Sequence, residues 1–112
     1  MERKRLPTTR NSVTHKFQIG GCEGYIIAGL YDDGTPGEIF FRAGNSLHDK
    51  FPGMEPVLEC WCLAVSILLQ HGMWELVHQK FSFQRFEPSD FKANSIIDYI
   101  MRWIKKEFYP DA

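Results

Sequence analysis

Three segments near the start of the chain carry the hydrophobic patterns of β-strands. Apolar and polar side chains alternate over residues 12–19, which predicts a strand with one buried and one wet face. Residues 25–31 are apolar on both faces, as in a central strand, and residues 38–43 form a third candidate. Two glycines at the first connection and Asp-Asp-Gly at the second indicate tight reversals. The pattern therefore predicts a three-stranded antiparallel β-meander.

A long apolar segment at residues 56–70 is predicted to be a helix. Pro56 suits its first turn, and Gly72 suits its end. Its strongly polar side chains fall on one narrow stripe, which consists of Glu59, Ser66 and Gln70. Because the rest of the helix is apolar nearly all round, one small monomer cannot cover it. The chain is therefore expected to form a homo-oligomer, most simply a dimer.

Two further helices are indicated towards the C-terminus. A short one covers residues 74–81, and the last covers about residues 94–108. Asp98 and Arg102 are expected to pair one turn apart on the outer face of that last helix. Residues 44–53 have the composition of a polar loop. The predicted fold class is therefore α+β, with a three-stranded antiparallel β-meander followed by and packed against about three helices.

Composition limits the chain to one modest domain. Its 112 residues are 44% hydrophobic, and a formal net charge of −1 gives no general attraction to nucleic acid or to acidic membranes. Basic residues crowd the first ten positions. We therefore divide the chain into a basic N-terminal arm, residues 1–11, and a single α+β domain, residues 12–109. A solvated tail is favoured over a phosphate-binding arm for the first of these.

The three cysteines indicate a reducing compartment rather than a disulfide framework. Their number is odd and no secretory signal stands before them, so a cytoplasmic location is expected. Cys60 and Cys62 lie two positions apart in a predicted helix, which turns them about 200° away from each other. Neither a metal site nor a disulfide is therefore expected. The longest apolar run, residues 60–69, is too short to span a bilayer, so no membrane is expected as a partner.

The densest candidate chemistry lies in residues 81–91, where aromatic side chains surround Arg85 and a proline breaks the segment. An arginine can fork onto a phosphate or a carboxylate. Phe83 or Phe86 could stack on a base at the same place. The structural alternative is a clamp between Arg85 and Glu87 that pins the segment against the sheet. Both interpretations stay open at this point.

Support for an anion site comes from the predicted sheet and from the segment after it. Lys16 lies on the wet face of the first strand, and Arg42 lies near the end of the third. Ser46 and Lys50 could close the site from the following loop. His15, on the apolar face of its strand, is interpreted as a satisfied core residue. The candidate ligand-binding residues are Arg85, Lys16, Arg42, Ser46, Lys50, Phe83 and Phe86.

Three stretches also resemble a known family. Ser-Val-Thr-His-Lys-Phe-Gln-Ile-Gly-Gly at residues 12–21, Glu-Gly-Tyr at 23–25 and Arg-Phe-Glu-Pro at 85–88 are similar to the TSCPD domain. That domain is the C-terminal accessory domain of adenosylcobalamin-dependent (class II) ribonucleotide reductases. The resemblance covers about residues 5–108. The motif positions with an expected structural role are His15, Glu87 and Pro88.

The resemblance implies a free-standing relative of the accessory domain and not an enzyme. Radical chemistry in that family belongs to a large barrel with a cysteine trio and a cobalamin site, and this chain is too short to contain it. We expect a non-catalytic domain that binds a nucleotide or a related phosphorylated small molecule, without a cofactor. It would act as an accessory or regulatory partner of a reductase catalytic chain. Two alternatives stay open: a protein that sequesters a nucleotide-derived signal, and a structural oligomerisation module.

Overall fold

The sheet is a three-stranded antiparallel meander, as the alternating pattern predicted. The computed structural model describes residues 2–111. It places the strands in chain order: β1 (Ser12–Ile19), β2 (Cys22–Leu30) and β3 (Pro36–Ala43). Gly20 and Gly21 reverse the chain between β1 and β2 with φ values of 56° and 80°, a region that glycine enters at little cost.

Four helices follow the sheet: α1 (Asn45–Lys50), α2 (Met54–Gln70), α3 (Trp74–Phe81) and α4 (Ile96–Phe108). The α+β class is therefore confirmed. The prediction of a polar loop at residues 44–53 was wrong for its first half, because α1 occupies that part. Leu47 is fully buried and fixes this short helix to the core. One apolar anchor in six residues gives no helical period that a sequence pattern could reveal.

The inner face of the sheet and buried residues of all four helices form one core. Phe17 and Ile19 of β1, Ile26 of β2 and Phe41 of β3 are buried there. Gly24 lies between the rings of Phe17 and Phe41, and a Cβ atom at this position would come within 2.8 Å of the Phe17 ring. The bare backbone of that glycine is therefore what lets two aromatic rings fill the centre of the sheet.

Helix α2 lies along the free edge of β3 and satisfies backbone groups that another strand would otherwise pair with. Three hydrogen bonds do this: Ile39 N donates to Ser66 Oγ (2.8 Å), Gln70 Nε2 donates to Gly37 O (2.9 Å) and Ala43 N donates to Glu55 Oε2 (2.7 Å). The polar stripe that the sequence identified on α2 therefore faces the sheet.

The N-terminal arm is exposed at most of its positions, and several hydrogen bonds and an ion pair hold it against the body of the protein. The amide of Lys4 donates to the carbonyl of Gln70 at 2.8 Å, and the hydroxyl of Tyr31 donates to the carbonyl of Lys4. Arg10 Nε lies 2.7 Å from a carboxylate oxygen of Glu38. These contacts fix the arm to the end of α2 and to β3, and they neutralise part of its charge.

The cysteines are free and differ in exposure. Cys60 is exposed, whereas Cys22 and Cys62 are buried. The two helical thiols thus lie on different sides of α2, as their spacing predicted. Residues 2–111 contain no group of histidine, cysteine and acidic side chains placed to hold a metal ion. Within the same residues, no helix is both long and apolar enough to cross a membrane.

Candidate functional site

Two of the predicted ligand contacts share the outer face of the sheet. Lys16 and Arg42 lie in one row on either side of Tyr25, because both strands are in register with β2 at that residue. Each already has an acidic partner: Lys16 Nζ lies 2.9 Å from Glu23, and an Arg42 nitrogen lies 2.6 Å from Glu59. The hydrogen bond that Lys16 donates to the Glu23 carboxylate also raises the pKa of Lys16. This face is therefore balanced in charge and offers no free cation in that row.

Ser46 and Lys50 lie near the start of β2 and form no hydrogen bond or ion pair with Arg42. The hydroxyl of Ser46 accepts a hydrogen bond from the amide of Glu23 at 3.2 Å, so it supports the strand. The ammonium group of Lys50 lies close to Gly21, where an added Cβ atom would be 3.6 Å from it. The structure thus assigns Ser46 a structural contact and leaves Lys50 at the rim of the β1–β2 turn.

Arg85 is exposed and makes no hydrogen bond or ion pair with any residue of the described part of the chain. The clamp with Glu87 is not formed, because that carboxylate accepts hydrogen bonds from the amide and hydroxyl of Ser89 at 3.1 Å and 2.9 Å. Pro88 is buried and lies against Gly20. The segment is therefore held to the β1–β2 turn by its proline, and Arg85 does not meet the row on the outer face.

Phe83 and Phe86 connect the same segment to α4. The amide of Phe83 donates to Asp98 Oδ1 at 2.9 Å, and the Arg102 guanidinium lies 5.7 Å from the Phe83 ring centre. The amide of Phe86 donates to the carbonyl of Asn94 at 3.1 Å. The Phe83 ring is 68% exposed. It lies next to α4 rather than on the outer face of the sheet, where the predicted site would need it.

A cleft between β1 and α4 brings together cationic and aromatic side chains that the predicted site did not include. We call it the α4 cleft, a cavity of about 250 Å³ lined by His15, Lys92, Tyr99, Arg102, Trp103, Lys106 and Glu107. His15 Nε2 lies 2.8 Å from the Tyr99 hydroxyl. The His15 ring also stacks with Trp103 at 5.2 Å between centres. The cleft therefore combines π-faces with ammonium and guanidinium groups.

Helical spacing explains why α4 presents these side chains together. Tyr99, Arg102, Trp103 and Lys106 are separated by three, four and seven positions, which places them on one face of a helix. His15 faces them because alternation along β1 directs it to the inner face, beyond which α4 packs. The His15 ring also stacks with Tyr99, and His15 lines the cleft.

The lining of the α4 cleft carries more positive than negative side chains. Its three cations are Lys92, Arg102 and Lys106, and its one acidic residue is Glu107. Lys92 Nζ lies 3.1 Å from Asp90, and Arg102 Nε lies 3.0 Å from Asp98, so two of the cations also have acidic neighbours. Both carboxylates accept backbone hydrogen bonds as well. An amide hydrogen bond from Gly20 lowers the pKa of Asp90. Their charge is therefore shared with backbone donors, which leaves the cations able to contact an added anion.

Lys106 differs from the other two cations of the α4 cleft. It is exposed and forms no ion pair with another residue within 2–111. It also lies in the last turn of α4, where the helix dipole favours a positive charge. Lys106 is therefore the side chain best placed to receive an anion without first losing a partner.

A second, larger cavity of about 360 Å³ lies between α2 and β3. Its apolar lining comes from Phe40, Leu63 and Ile67. Its charged lining is balanced between Arg3 and Arg42 on one side and Glu38 and Glu59 on the other. The groove is not a candidate anion site, because its two cations are equalled in number by its two carboxylates.

Comparison with known proteins places the chain in a family. A family model described as the TSCPD domain matches residues 1–108. The chain belongs to the TSCPD domain family. No solved structure matches this TSCPD domain.

Similar proteins to this TSCPD domain are vitamin B12-dependent ribonucleotide reductases. The one from Rhodopirellula baltica is 41% identical over 91% of this chain and 10% of its own length. The one from Streptantibioticus cattleyicolor is 37% identical over 96% of this chain and 19% of its own length. The chain thus spans between a tenth and a fifth of these curated relatives, a share that fits an accessory domain.

Sequence reasoning missed most of the α4 cleft of this TSCPD domain. The spacing of Tyr99, Arg102, Trp103 and Lys106 was visible as one helical face carrying both aromatic and basic residues. Spacing alone, however, does not show that this face of the helix borders a cleft. The contribution of His15 could not be seen in this way, since it lies 84 positions from its hydrogen-bond partner.

Proposed function

We propose that this chain is a non-catalytic binding module of the ribonucleotide reductase lineage and takes a nucleotide or related phosphorylated small molecule in the α4 cleft. The observation that carries the proposal is the convergence of three cations and a stacked histidine–tryptophan pair on one cavity. The module is proposed to be non-catalytic because its similarity extends over only 10% to 19% of the first reductases that it matches.

The two parts of a nucleotide match the two parts of the lining. Phosphate oxygens would accept hydrogen bonds from Lys106, Lys92 and Arg102, which are charge-assisted and hence stronger than neutral ones. A base would lie against the rings at the edge formed by His15 and Tyr99. The cavity of about 250 Å³ is smaller than most ligand pockets, so part of the ligand would remain in solvent. Moderate affinity is therefore expected.

Titration calorimetry with a panel of ligands tests the proposal. The panel contains nucleoside triphosphates, cyclic nucleotides, dinucleotides, an unphosphorylated nucleoside and inorganic triphosphate. We expect a nucleotide to bind and Lys106→Glu to weaken it roughly 10- to 100-fold, the effect of losing one charge-assisted hydrogen bond. Lys80→Glu is the matched control, because both lysines are exposed and stand in the last turn of a helix. It should change the affinity less than about twofold.

The same experiment separates the α4 cleft from the aromatic-arginine segment of residues 81–91. Arg85→Ala should leave the affinity unchanged if the cleft is the site. If Arg85→Ala abolishes binding while Lys106→Glu and Lys80→Glu behave alike, the ligand lies on that segment instead. If no member of the panel binds the folded parent protein at millimolar concentration, the nucleotide proposal fails.

The family relationship supports an accessory role, and this part of the proposal needs a different test. We propose that the ligand-loaded module contacts a reductase catalytic chain. Co-purification of the two chains from one host, with and without the nucleotide, measures this. A nucleotide that binds tightly to the module while no reductase chain is retained would favour the sequestering protein over the accessory partner.

A further inference from the structure

The outward side of α2 is an apolar surface without a charged side chain. Its exposed members include Val57, Cys60, Leu63, Ala64 and Ile67. Val57 is 65% exposed and Leu63 is 63% exposed, so both large aliphatic side chains lie mostly in solvent. They follow one another at helical spacing, so they form a continuous stripe rather than isolated positions.

The outward side of α2 is apolar because the polar residues of this helix face the sheet. Glu55, Ser66 and Gln70 all turn towards β3 and bind its edge. Glu59 also turns that way, to Arg42. The helix therefore has no polar residue left for its outward side. In a protein that functioned as a monomer, the apolar stripe of α2 would be expected to face the interior and the polar stripe to face water.

The apolar stripe continues onto the sheet. Phe40, on the outer face of β3, is 43% exposed and lines the groove beside α2 together with Leu63 and Ile67. We use the name α2 surface for Val57, Cys60, Leu63, Ala64, Ile67 and Phe40 together. This surface joins two elements through a groove, so a partner can bury a ridge of side chains in it as well as lie on it.

The charges that border the α2 surface indicate what covers it. Arg42 and Glu59 lie 2.6 Å apart beside the groove, and Arg10 and Glu38 lie 2.7 Å apart at its other border. Each border thus carries one positive and one negative group. A partner of a single sign would be attracted by one group and repelled by the other. A second copy of the same surface carries both signs as well, so a two-fold arrangement can set cations opposite carboxylates.

We propose that the α2 surface is an isologous interface between two copies of this chain. The two α2 helices cross at the middle of the stripe, close to Leu63, and Phe40 of each protomer enters the groove of the other. Arg42 and Glu59 keep their contact within a protomer and gain one across the axis. The interface lies on α2 and β3 and is separate from the α4 cleft. The dimer proposal can therefore be wrong while the nucleotide proposal is right, and the reverse.

Sedimentation velocity over a range of protein concentrations tests the proposal. The parent protein should sediment as a species of twice its 13.0 kDa mass at micromolar concentration. Leu63→Glu should raise the dissociation constant of the dimer at least about 100-fold, because a desolvated carboxylate would lie at the centre of the interface. Leu76→Glu is the matched control. Leu76 is a 42% exposed leucine of α3, away from the α2 surface, and its substitution should leave the dimer intact.

A charge exchange gives a second test that does not depend on Leu63. Arg42→Glu alone should weaken the dimer, and Arg42→Glu combined with Glu59→Arg should restore most of the affinity, since the exchanged pair remains self-complementary. A parent protein that is monomeric at about 100 μM overturns the proposal, because standard interfaces give much tighter association. A folded Leu63→Glu variant that dimerises as tightly as Leu76→Glu overturns it too.

Discussion

At the scale of single residues, Asp98 holds the segment between α3 and α4 in place. Its carboxylate is fully buried and accepts hydrogen bonds from the amides of Phe83 and Asn94, both at 2.9 Å, and from Arg102 at 3.0 Å. Burial alone would raise the pKa of Asp98, but the hydrogen bonds from Asn94, Phe83 and Arg102 outweigh it and the pKa is lowered. The carboxylate therefore stays ionised inside the protein because backbone donors surround it.

Replacing this carboxylate should be costly for stability. Asp98→Ala would leave two backbone amides without partners, so we expect it to reduce the free energy of unfolding by about 2–4 kcal/mol. Arg102→Ala is the comparison, because it removes only an arginine side chain that is 51% exposed and should cost less than about 1 kcal/mol. Urea unfolding of both variants measures the difference. Equal losses would mean that the ion pair, not the backbone contacts, is what Asp98 supplies.

The lowered pKa of Asp98 also fixes the sign of a pH effect. Because the folded pKa lies below the ordinary value of 3.8, the unfolded chain binds more protons in acid, and the free energy of unfolding rises with pH. The contribution is complete above the ordinary pKa and is lost as the pH falls through the folded pKa. Urea unfolding between about pH 2 and pH 6 should show a loss in the parent that is smaller in Asp98→Ala. If the free energy of unfolding depends on pH in the same way in both proteins, Asp98 is not the source of the effect.

The sequence predicted the contact between Asp98 and Arg102 but placed the carboxylate wrongly. The spacing of four positions is local, so the ion pair could be expected, and it is present. The prediction that Asp98 lies on the outer face of α4 was wrong, because Asp98 is buried. The residues that cover it, Phe83 and Asn94, lie in a segment without a repeating pattern. No sequence period shows where such a segment crosses a helix.

At the scale of elements, α2 replaces a fourth strand at the edge of β3. Ser66 accepts from Ile39 N at 2.8 Å, and Gln70 donates to Gly37 O at 2.9 Å. A side chain on a helix thus takes the place of a ladder hydrogen bond, and the edge is closed to strand addition. The sequence identified the polar stripe but not its partner, because a stripe on a helix can face either water or a sheet edge.

Two serines with buried hydroxyl groups give a matched test of this edge contact. Ser66→Ala would leave the Ile39 amide unpaired, and we expect a loss of about 1–2 kcal/mol in the free energy of unfolding. Ser82 is the control, because its hydroxyl is buried and has no hydrogen-bond partner among the described residues. Ser82→Ala should be neutral or slightly stabilising. Native-state hydrogen exchange should also show a faster Ile39 amide in Ser66→Ala only. Protection that stays unchanged would show that β3 does not depend on the serine.

At the scale of the whole molecule, the elements could be predicted far better than the site. Strands and long helices follow local periods, so the meander, α2 and α4 were within reach of the sequence. The α4 cleft depends on β1 packing across α4, which joins His15 to Tyr99 over 84 positions. Arg85 was the strongest local signal, and it points to solvent without a partner in residues 2–111. A site that forms when distant segments pack together cannot be predicted from a local sequence pattern.

Thiol reactivity reports on the whole molecule in one measurement. Cys22 and Cys62 are buried, and burial, with Glu59 nearby, raises the pKa of Cys62 to about 12. A disulfide reagent at about pH 8 should therefore modify only Cys60 rapidly, because thiolates are the reactive form. The other two thiols should react at the rate of global unfolding and accelerate together in urea.

Protein concentration then links the thiols to assembly. Cys60 lies on the α2 surface, so dimer formation should slow its reaction as the protein concentration rises through the dissociation constant. Leu63→Glu should abolish this dependence and leave Cys60 fast at every concentration, whereas Leu76→Glu should retain it. The rate for Cys62 should not depend on Leu63 beyond any change in stability. If the Cys60 rate is the same at all concentrations while sedimentation shows a dimer, the two copies associate through another surface.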